Sequence, residues 1–336
     1  MKNNKILVTG GAGYIGSHVV RQLGAAGESV ITLDNLSTGF EAAVTAGELI
    51  IGDTGDAALL ERLFADHDID TLMHFAAHTI VPESVENPLK YYRNNTANSR
   101  TLLEVAHNHG VRNVVFSSTA AVYGVLADGK ASEQTATRPI NPYGTSKLMT
   151  EWMLRDLSAA GGPGYVALRY FNVAGCEPTG RIGQSTPNAT LLVKVACEVA
   201  VGRRDQVNLF GTDYPTPDGS GLRDYIHVED LASAHLDALR YLRKGGESTT
   251  LNCGYGHGYS VREVLQAVER AHGAALKIVE KPRRAGDPPE LVAIAERIRS
   301  VLGWTPKYDD LDTIVETSLN WERKIAAQDP SAYWPI

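Results

Sequence analysis

The segment Thr9-Gly10-Gly11-Ala12-Gly13-Tyr14-Ile15-Gly16 follows the apolar run Ile6-Leu7-Val8 and opens a stretch with helical periodicity that reaches Ala26. A strand, a turn of the form Gly-x-Gly-x-x-Gly and a helix, in this order, are typical of a dinucleotide-binding unit. The glycines permit a tight turn and close approach of the backbone to a pyrophosphate, and the helix start offers free N–H groups. The segment therefore predicts a dinucleotide site; a glycine-rich turn without a ligand is the alternative.

Short apolar runs continue to alternate with helical patterns through the first half of the chain. Further strands are predicted at Val30–Leu33, Leu49–Ile51, Leu72–Phe75, Val114–Ser117 and Val166–Tyr170. Helical patterns cover Asn95 to His109 and Ser146 to Ala160. This alternation predicts an α/β fold with a Rossmann-type doubly wound parallel sheet.

The pattern loosens after Tyr170, where glycine and proline cluster at 177–187 and 214–221. We expect a smaller, loop-rich substrate-binding domain over the carboxyl edge of the sheet, where doubly wound folds bind ligands. The expected division is a dinucleotide-binding domain over 1–170, to which the chain returns near 223–243, and a substrate-binding domain over 171–336.

Composition excludes several classes of protein. The 336 residues carry a net charge of −7 without a basic run, so nucleic acid is not an expected partner. Three separated cysteines and histidines without ligand spacing predict neither a disulfide framework nor a metal site. No apolar stretch approaches the roughly 20 residues of a membrane span. We expect a cytoplasmic protein without membrane contact.

Two acidic residues follow predicted strands and bear on the cofactor. Asp34 ends the second strand, where a carboxylate accepts hydrogen bonds from the adenosine ribose hydroxyls and repels a 2′-phosphate. NAD is therefore favoured over NADP. Asp53 follows the third apolar run and fits either an acceptor for the adenine amino group or a solvated loop acid.

Tyr143 and Lys147 lie four residues apart, which places a phenol and an ammonium one helical turn apart on the same face. A free tyrosine has a pKa of about 10, and a nearby positive charge favours its ionised form. Thr119 follows the strand 114–118, so its hydroxyl lies at the carboxyl edge of the sheet. These three residues predict a site that oxidises an alcohol, with Tyr143 as the base.

The chain resembles the extended short-chain dehydrogenase/reductase family and, within it, the UDP-hexose 4-epimerases. The resemblance covers essentially the whole length and rests on these segments: 9–16, 34–36, 74–77, 91–95, 117–124, 142–147, 168–172, 201–205, 223–228 and 283–287. The later segments together are the more specific to the epimerases.

The resemblance implies C4 epimerisation of a UDP-hexose (UDP-galactose/UDP-glucose interconversion) through a 4-keto intermediate, with bound NAD, in a homodimer. The cofactor residues it implies are Gly10, Gly13, Tyr14, Ile15, Gly16, Asp34, Asn35, Asp53, Thr54, Phe75, Ala76, Ala77, Asn94, Ser117, Tyr143, Lys147 and Tyr170. The substrate residues it implies are Thr119, Tyr143, Asn172, Phe210, Arg223, Arg284 and Asp287. From the residues alone, Arg223 and Arg284 fit surface ion pairs equally well.

Three positions depart from the family pattern: Thr79 replaces a lysine that assists at the cofactor phosphates, Thr190 replaces an Asn or His beside the substrate phosphates, and Leu291 occupies the position that limits N-acetylated sugars. Other UDP-sugar epimerases, acting on N-acetylhexosamines, pentoses or glucuronate, therefore stay open.

A 4,6-dehydratase is disfavoured because Ala120 and Ala121, which follow Thr119, cannot transfer a proton. A NAD-binding regulatory protein without turnover is disfavoured by the intact Tyr143, Lys147 and Thr119.

The first testable prediction concerns Asp34. Titration of apo protein with NAD and with NADP, followed by fluorescence or calorimetry, should show clear preference for NAD, because the 2′-phosphate faces a carboxylate. Equal affinities would mean that Asp34 does not contact the ribose.

Overall fold

A seven-stranded parallel sheet forms the centre of the protein, in the strand order β3-β2-β1-β4-β5-β7-β12. The computed structural model describes residues 4–126, 128–187, 189–284 and 287–328. The strands are β1 (Lys5–Thr9), β2 (Val30–Asp34), β3 (Glu48–Ile51), β4 (Ile69–His74), β5 (Asn113–Ser117), β6 (Lys130–Ala131), β7 (Gly164–Tyr170), β8 (Asn172–Ala174), β9 (Val207–Phe210), β10 (Leu222–Arg223), β11 (Tyr225–His227), β12 (Thr249–Cys253), β13 (Tyr259–Ser260), β14 (Ile278–Lys281) and β15 (Glu290–Ala293).

Helices flank this sheet, which confirms the predicted Rossmann-type fold. The α-helices of the described residues are α1 (Tyr14–Ala25), α2 (Ala57–Asp66), α3 (Val81–Glu86), α4 (Pro88–Tyr91), α5 (Asn98–Asn108), α6 (Pro142–Ala159), α7 (Leu192–Ala200), α8 (Val228–Arg243), α9 (Val261–His272), α10 (Glu296–Leu302) and α11 (Leu311–Ala327). Among the described residues, no helix is both long and apolar enough to cross a bilayer.

Strand β1 shows why both faces of the sheet are covered. Its side chains alternate, so that Ile6 and Val8 join the core that includes α1 and α8, whereas Leu7 joins the core that includes α2 and α5. All three side chains are fully buried. A continuous apolar run of this kind is typical of a strand packed on both faces.

The strand order reverses at β1, because β2 pairs on one side of it and β4 on the other. Ligands of doubly wound sheets bind outside the carboxyl ends of the strands at such a reversal. The glycine turn that follows β1 lies at this point, so a ligand site is expected at the carboxyl edge between β1 and β4.

The region after residue 170 is more regular than the sequence suggested. It contributes three strands to a four-stranded sheet in the order β13-β10-β15-β6, and helices α7, α9 and α11 pack on one another. It also returns to the main sheet, since α8 packs on α1 and β12 pairs with β7. The division of the chain near residue 170 remains a proposal.

Two predicted helices differ in their bounds from the observed ones. The pattern from Asn95 to His109 begins inside a π-helical segment, Tyr92–Ala97, and only then continues as α5. Helix α6 begins at Pro142 rather than Ser146, because the side chain of Asn141 accepts a hydrogen bond from the Gly144 amide and caps the helix. Tyr143 therefore stands in the first turn of α6.

Two buried lysines differ in how their charge is stabilised. Lys194 pairs with Glu322 and Glu198, and its side chain is 4% exposed. Lys147 is 3% exposed, and its Nζ donates a hydrogen bond of 2.8 Å to the carbonyl oxygen of Ser117. Burial lowers the pKa of Lys147 to about 7.

This contrast gives a prediction about stability. In the unfolded chain Lys147 keeps its proton up to its ordinary pKa of 10.5, whereas in the folded protein it loses the proton near pH 7. Burial of the ammonium therefore opposes folding fully below pH 7, and the free energy of unfolding rises with pH between these two pKa values. In protein freed of NAD, Lys147→Met should raise the free energy of unfolding at pH 6 by about 1–2 kcal/mol. The gain should vanish as the pH approaches 10.

Lys194→Met is the matched control, since it leaves buried carboxylates without their lysine. It should lower the free energy of unfolding by about 3–5 kcal/mol. Denaturant unfolding at several pH values measures both variants. Equal destabilisation by the two substitutions at pH 6 would contradict the prediction.

Candidate active site

The glycine turn is built so that side chains are excluded where backbones meet. Gly10 has a φ of +72°, and a Cβ there would lie 2.6 Å from the amide nitrogen of Ala76. A Cβ on Gly16 would lie 2.2 Å from the carbonyl oxygen of Gly10. At Gly13, by contrast, a Cβ would meet only that same carbonyl oxygen, at 3.3 Å, among the described residues. The backbone at Gly13 is therefore open to a ligand.

Helix α1 starts at this open backbone, with Gly13 as its N-cap and without a side-chain cap. The amides of Tyr14 and Ile15 lie in the first turn, where N–H groups have no partner within the helix. The hydroxyl of Tyr14 donates a hydrogen bond of 2.6 Å to the carbonyl oxygen of Gly175. The turn thus has the open helix N-terminus and close backbone approach that a dinucleotide pyrophosphate requires.

Asp34 backs directly onto this turn. Its two carboxylate oxygens accept hydrogen bonds from the amides of Ala12 (2.9 Å) and Leu36 (2.8 Å). Burial raises the pKa of Asp34, and these two bonds oppose the rise. A carboxylate oxygen has more than one lone-pair site, so each can still accept from a ribose hydroxyl.

Asp53 is held by neighbouring amides. Asn35 donates to one of its oxygens at 3.0 Å, Asn98 donates to the other at 2.9 Å, and the adjacent Thr54 is buried. These bonds fix the Asp53 carboxylate beside the loop that follows β2. They are compatible with Asp53 as an acceptor for the adenine amino group and with Asp53 as a solvated loop acid.

The remaining cofactor candidates lie at the ends of neighbouring elements. Phe75 and Ala76 follow β4 and donate through their amides to the Thr9 carbonyl oxygen at 2.9 and 3.1 Å, and Ala77 comes next. Asn94 lies in the π-helical segment and donates to Asn95 at 3.0 Å.

The predicted pair on α6 reaches the carboxyl edge at β5. Lys147 bonds to the Ser117 carbonyl oxygen, and the Ser117 hydroxyl lies 2.6 Å from that of Tyr170. Tyr143 is 7% exposed, and the Thr119 side chain lies near enough to its phenol to lower the pKa of that group. The structure therefore brings together all three residues expected to act on an alcohol.

The electrostatics of the pair differ from the expectation based on sequence. We expected Lys147 to depress the pKa of the Tyr143 phenol. In the structure, burial is the larger effect and raises the pKa of Tyr143, while the nearby Thr119 side chain lowers it. Because burial also lowers the pKa of Lys147, both groups are held toward their neutral forms.

His74 is a packed residue of strand β4. Its Nδ1 lies 2.7 Å from the Thr9 hydroxyl and its Nε2 lies 2.7 Å from that of Ser99. Burial, followed by the charge of Lys147, lowers the pKa of His74 to about 3. No cluster of His, Cys, Asp or Glu that fits a metal ion occurs within residues 4–126, 128–187, 189–284 and 287–328.

Four of the residues expected to bind substrate form two contacting pairs in the region after residue 170. The guanidinium of Arg284 lies 3.8 Å from the ring centre of Phe210, and Arg223 lies 4.0 Å from Asp287. Asn172 begins β8, which pairs with β11 just after Arg223. Ala285 and Gly286 of the matched segment lie outside the described residues.

The three positions that depart from the family pattern lie in different surroundings. Leu291 stands opposite Arg223 in the pairing of β10 with β15, which places it next to a substrate candidate. Thr79 and Thr190 are both exposed.

Three buried residues near the site were missed by the sequence reasoning. Glu151 and Arg169 form an ion pair, and the hydroxyl of Ser118 donates to Glu151. A signal was present, because Glu151 follows Tyr143 and Lys147 at the same spacing of four residues.

A cavity of about 480 Å³ opens on the outer side of the glycine turn. It is lined by Gly13 and Tyr14, by parts of 38–43 and 181–186, and by Trp321. Tyr143, Lys147 and Thr119 do not belong to its lining. It thus adjoins the proposed pyrophosphate site but lies apart from the residues expected to carry the chemistry.

Comparison with known proteins agrees with this arrangement. The model of the NAD dependent epimerase/dehydratase family matches residues 6–254. A UDP-glucose 4-epimerase of Azospirillum brasilense is 57% identical over 96% of this chain and 92% of its own length.

Solved structures show the same similarity. The UDP-glucose 4-epimerase of Bifidobacterium longum, in complex with NAD+ and UDP, superposes with a TM-score of 0.90 at 40% identity, over 96% of this chain and 98% of that one. The UDP-Glc/GlcNAc 4-epimerase of Campylobacter jejuni gives a TM-score of 0.84 at 47% identity, over 96% and 99%. With its glycine turn, its buried Tyr143 and Lys147 and these similarities over nearly its full length, the chain belongs to the NAD dependent epimerase/dehydratase family.

Proposed function

We propose that this protein is an NAD-dependent isomerase that interconverts UDP-galactose and UDP-glucose at C4 through a 4-keto sugar. The observation that carries the proposal is the convergence of Tyr143, Lys147 and Thr119 at the carboxyl edge beside the glycine turn. The function is also that of the relatives, which are named UDP-glucose 4-epimerase at up to 57% identity.

The residues around the turn fit NAD. Gly13 and the first turn of α1 would receive the pyrophosphate, Asp34 the adenosine ribose, and Lys147 the nicotinamide ribose. When bound, NAD supplies a hydride acceptor for C4 of the sugar and then a hydride donor to the opposite face of that carbon. No external reductant is needed, because the cofactor ends the cycle in its starting state.

Tyr143 would act as the base that takes the proton from O4, and Thr119 would hold that oxygen or relay its proton. Since burial raises the pKa of Tyr143, the phenol needs added positive charge to ionise near neutral pH. Lys147 in its protonated form and the charge of an oxidised nicotinamide would meet this need. Base strength would then depend on the presence of the oxidised cofactor, which restricts proton removal to the productive complex.

The second region would hold the UDP part of the substrate. Arg223 and Arg284 present guanidinium forks suited to the diphosphate, and Asn172 would reach the same phosphates. Asp287 would accept from the uridine ribose, and Phe210 would lie beside the uracil. Binding energy at the nucleotide would leave the sugar free to turn over between the two hydride transfers.

A second candidate function is epimerisation of UDP-N-acetylhexosamines. It is favoured by Leu291, a side chain of intermediate bulk next to Arg223, and by the similarity to the UDP-Glc/GlcNAc 4-epimerase of Campylobacter jejuni. A panel of UDP- and dTDP-sugars, including the pentose and glucuronate forms, would rank these substrates. A 4,6-dehydratase remains disfavoured by Ala120 and Ala121.

We also propose a homodimer and a reducing, cytoplasmic setting without nucleic-acid partners. The support for a dimer is apolar surface on the helices beside the site: Leu89 is 76% exposed, Val85 63% and Trp152 45%. The support for a reducing setting is three buried cysteines, all of them free. Sedimentation analysis of wild type and Trp152→Glu tests the dimer.

Tyr143→Phe tests the base directly. The ring is kept, so folding and NAD binding should survive, whereas kcat should fall by about 10²–10⁴-fold or more because the proton acceptor is lost. Tyr165→Phe, at the start of β7 and away from the carboxyl edge, is the matched control and should retain activity. Near wild-type turnover by Tyr143→Phe would refute the assigned role.

Isotope labelling tests the course of the reaction. UDP-galactose carrying deuterium at C4 should become UDP-glucose with the label retained and without net change in NADH absorbance, because hydride leaves and returns within one site. Mass spectrometry and NMR identify the sugar. Stoichiometric NADH would indicate a simple dehydrogenase, and loss of water from the sugar would indicate a dehydratase.

A further inference from the structure

A fully hydrogen-bonded ion pair lies beneath the proposed catalytic residues. Arg169 Nε donates to Glu151 Oε1 at 2.9 Å and Arg169 Nη2 donates to Oε2 at 2.6 Å, so the contact is bidentate. The two residues are 7% and 5% exposed. The pair joins helix α6, which carries Tyr143 and Lys147, to strand β7.

The same carboxylate also holds a third element. The hydroxyl of Ser118 donates to Glu151 Oε1. Ser118 lies between Ser117, whose carbonyl oxygen receives the Lys147 hydrogen bond, and Thr119, whose side chain lies near the Tyr143 phenol. Glu151 therefore spans the helix with the base and the strand end with its partner hydroxyl.

The arginine extends the connection on its other side. Arg169 Nη1 donates to the hydroxyl of Tyr123 at 3.1 Å, and this hydroxyl donates to Asn252 at 2.6 Å. Tyr123 follows the short turn that Thr119 caps. Residue Tyr170, next to Arg169 in the chain, contacts Ser117. Helix α6 and the end of strand β5, which carry the proposed catalytic groups, are thus both linked to the Glu151–Arg169 ion pair.

Stability alone is a weak reason for such a pair. Replacing a buried ion pair by apolar residues of similar volume is often neutral or stabilising. An apolar pair, however, could neither accept the hydrogen bond of Ser118 nor donate one to Tyr123. Because a displacement of about 1 Å at a catalytic group can cost 10²-fold in rate, fixed spacing between α6 and β5 matters for proton transfer.

We propose that Glu151 is a positioning residue for the epimerase reaction: through Arg169 and Ser118 it sets the spacing between Tyr143 and Lys147 on α6 and Thr119 at the end of β5. Glu151 is not a catalytic residue, since it acts through these neighbours. The proposal rests on the function proposed above.

The test uses the holoenzyme and the double variant Glu151→Leu/Arg169→Met, which removes both charges and should therefore fold. We expect kcat to fall by about 10²-fold, with the KM for UDP-galactose, the bound NAD and the melting temperature close to wild type. Glu151→Gln, which keeps the shape but leaves Arg169 buried without its carboxylate, should lose activity at least as strongly and should also be less stable.

The matched control is Lys194→Met/Glu322→Leu, which removes a buried ion pair between α7 and α11. It should leave kcat unchanged. If the Glu151→Leu/Arg169→Met variant keeps wild-type kcat, or if loss of bound NAD or of folded protein fully accounts for its lower activity, the proposal is overturned.

A second measurement separates this proposal from the proposed function. The pKa of the Tyr143 phenol is measured in holoenzyme by ultraviolet difference titration against Tyr143→Phe, with and without the Glu151→Leu/Arg169→Met change. A shift of about 1 unit or more supports the positioning role, and an unchanged value overturns it, even if wild-type enzyme fails to convert UDP-galactose. Failure of the wild-type enzyme to convert UDP-galactose would overturn the epimerase proposal but not the positioning role of Glu151.

Discussion

The close contact between the glycine turn and the end of β4 is the constraint on which the rest of the site depends. At Gly10 the backbone approaches Ala76 so closely that no side chain fits between them. This contact sets the floor of the cleft at the reversal of strand order. Helix α1 begins just after this turn, and helix α6 brings Lys147 to the end of β5 at the same edge of the sheet.

A second feature of the site is that its titratable side chains are buried. Tyr143, Lys147 and His74 all have pKa values moved toward their neutral forms by loss of water. The fold thus encloses these titratable groups in surroundings of low polarity. Electrostatic effects of an incoming charge are larger in such a place than in water, so the ligand itself becomes part of the acid–base machinery.

Much of the fold follows from sequence because local and global signals agree. The order of apolar run, glycine turn and helix predicts β1 and α1 almost to the residue. Other features depend on partners distant in the chain. The π-helical segment has no local signature, and Glu151 reads as a surface acid until Arg169 is brought to it. Strand β12 is not predicted because its Thr-Thr-Leu-Asn-Cys sequence is largely polar. The polar side chain of Asn252 can be buried there because it forms hydrogen bonds with Tyr123 and Ala131, which are distant in the chain.

That late strand has a consequence for synthesis of the chain. Strand β7 pairs with β12, and the family match ends at Gly254, one residue beyond it. A ribosome that has translated only the first two hundred residues has exposed β7 as an unpaired parallel edge, a surface prone to pair with other chains. Completion of the sheet waits for residue 253, so this edge of the growing chain stays unpaired until β12 has been synthesised.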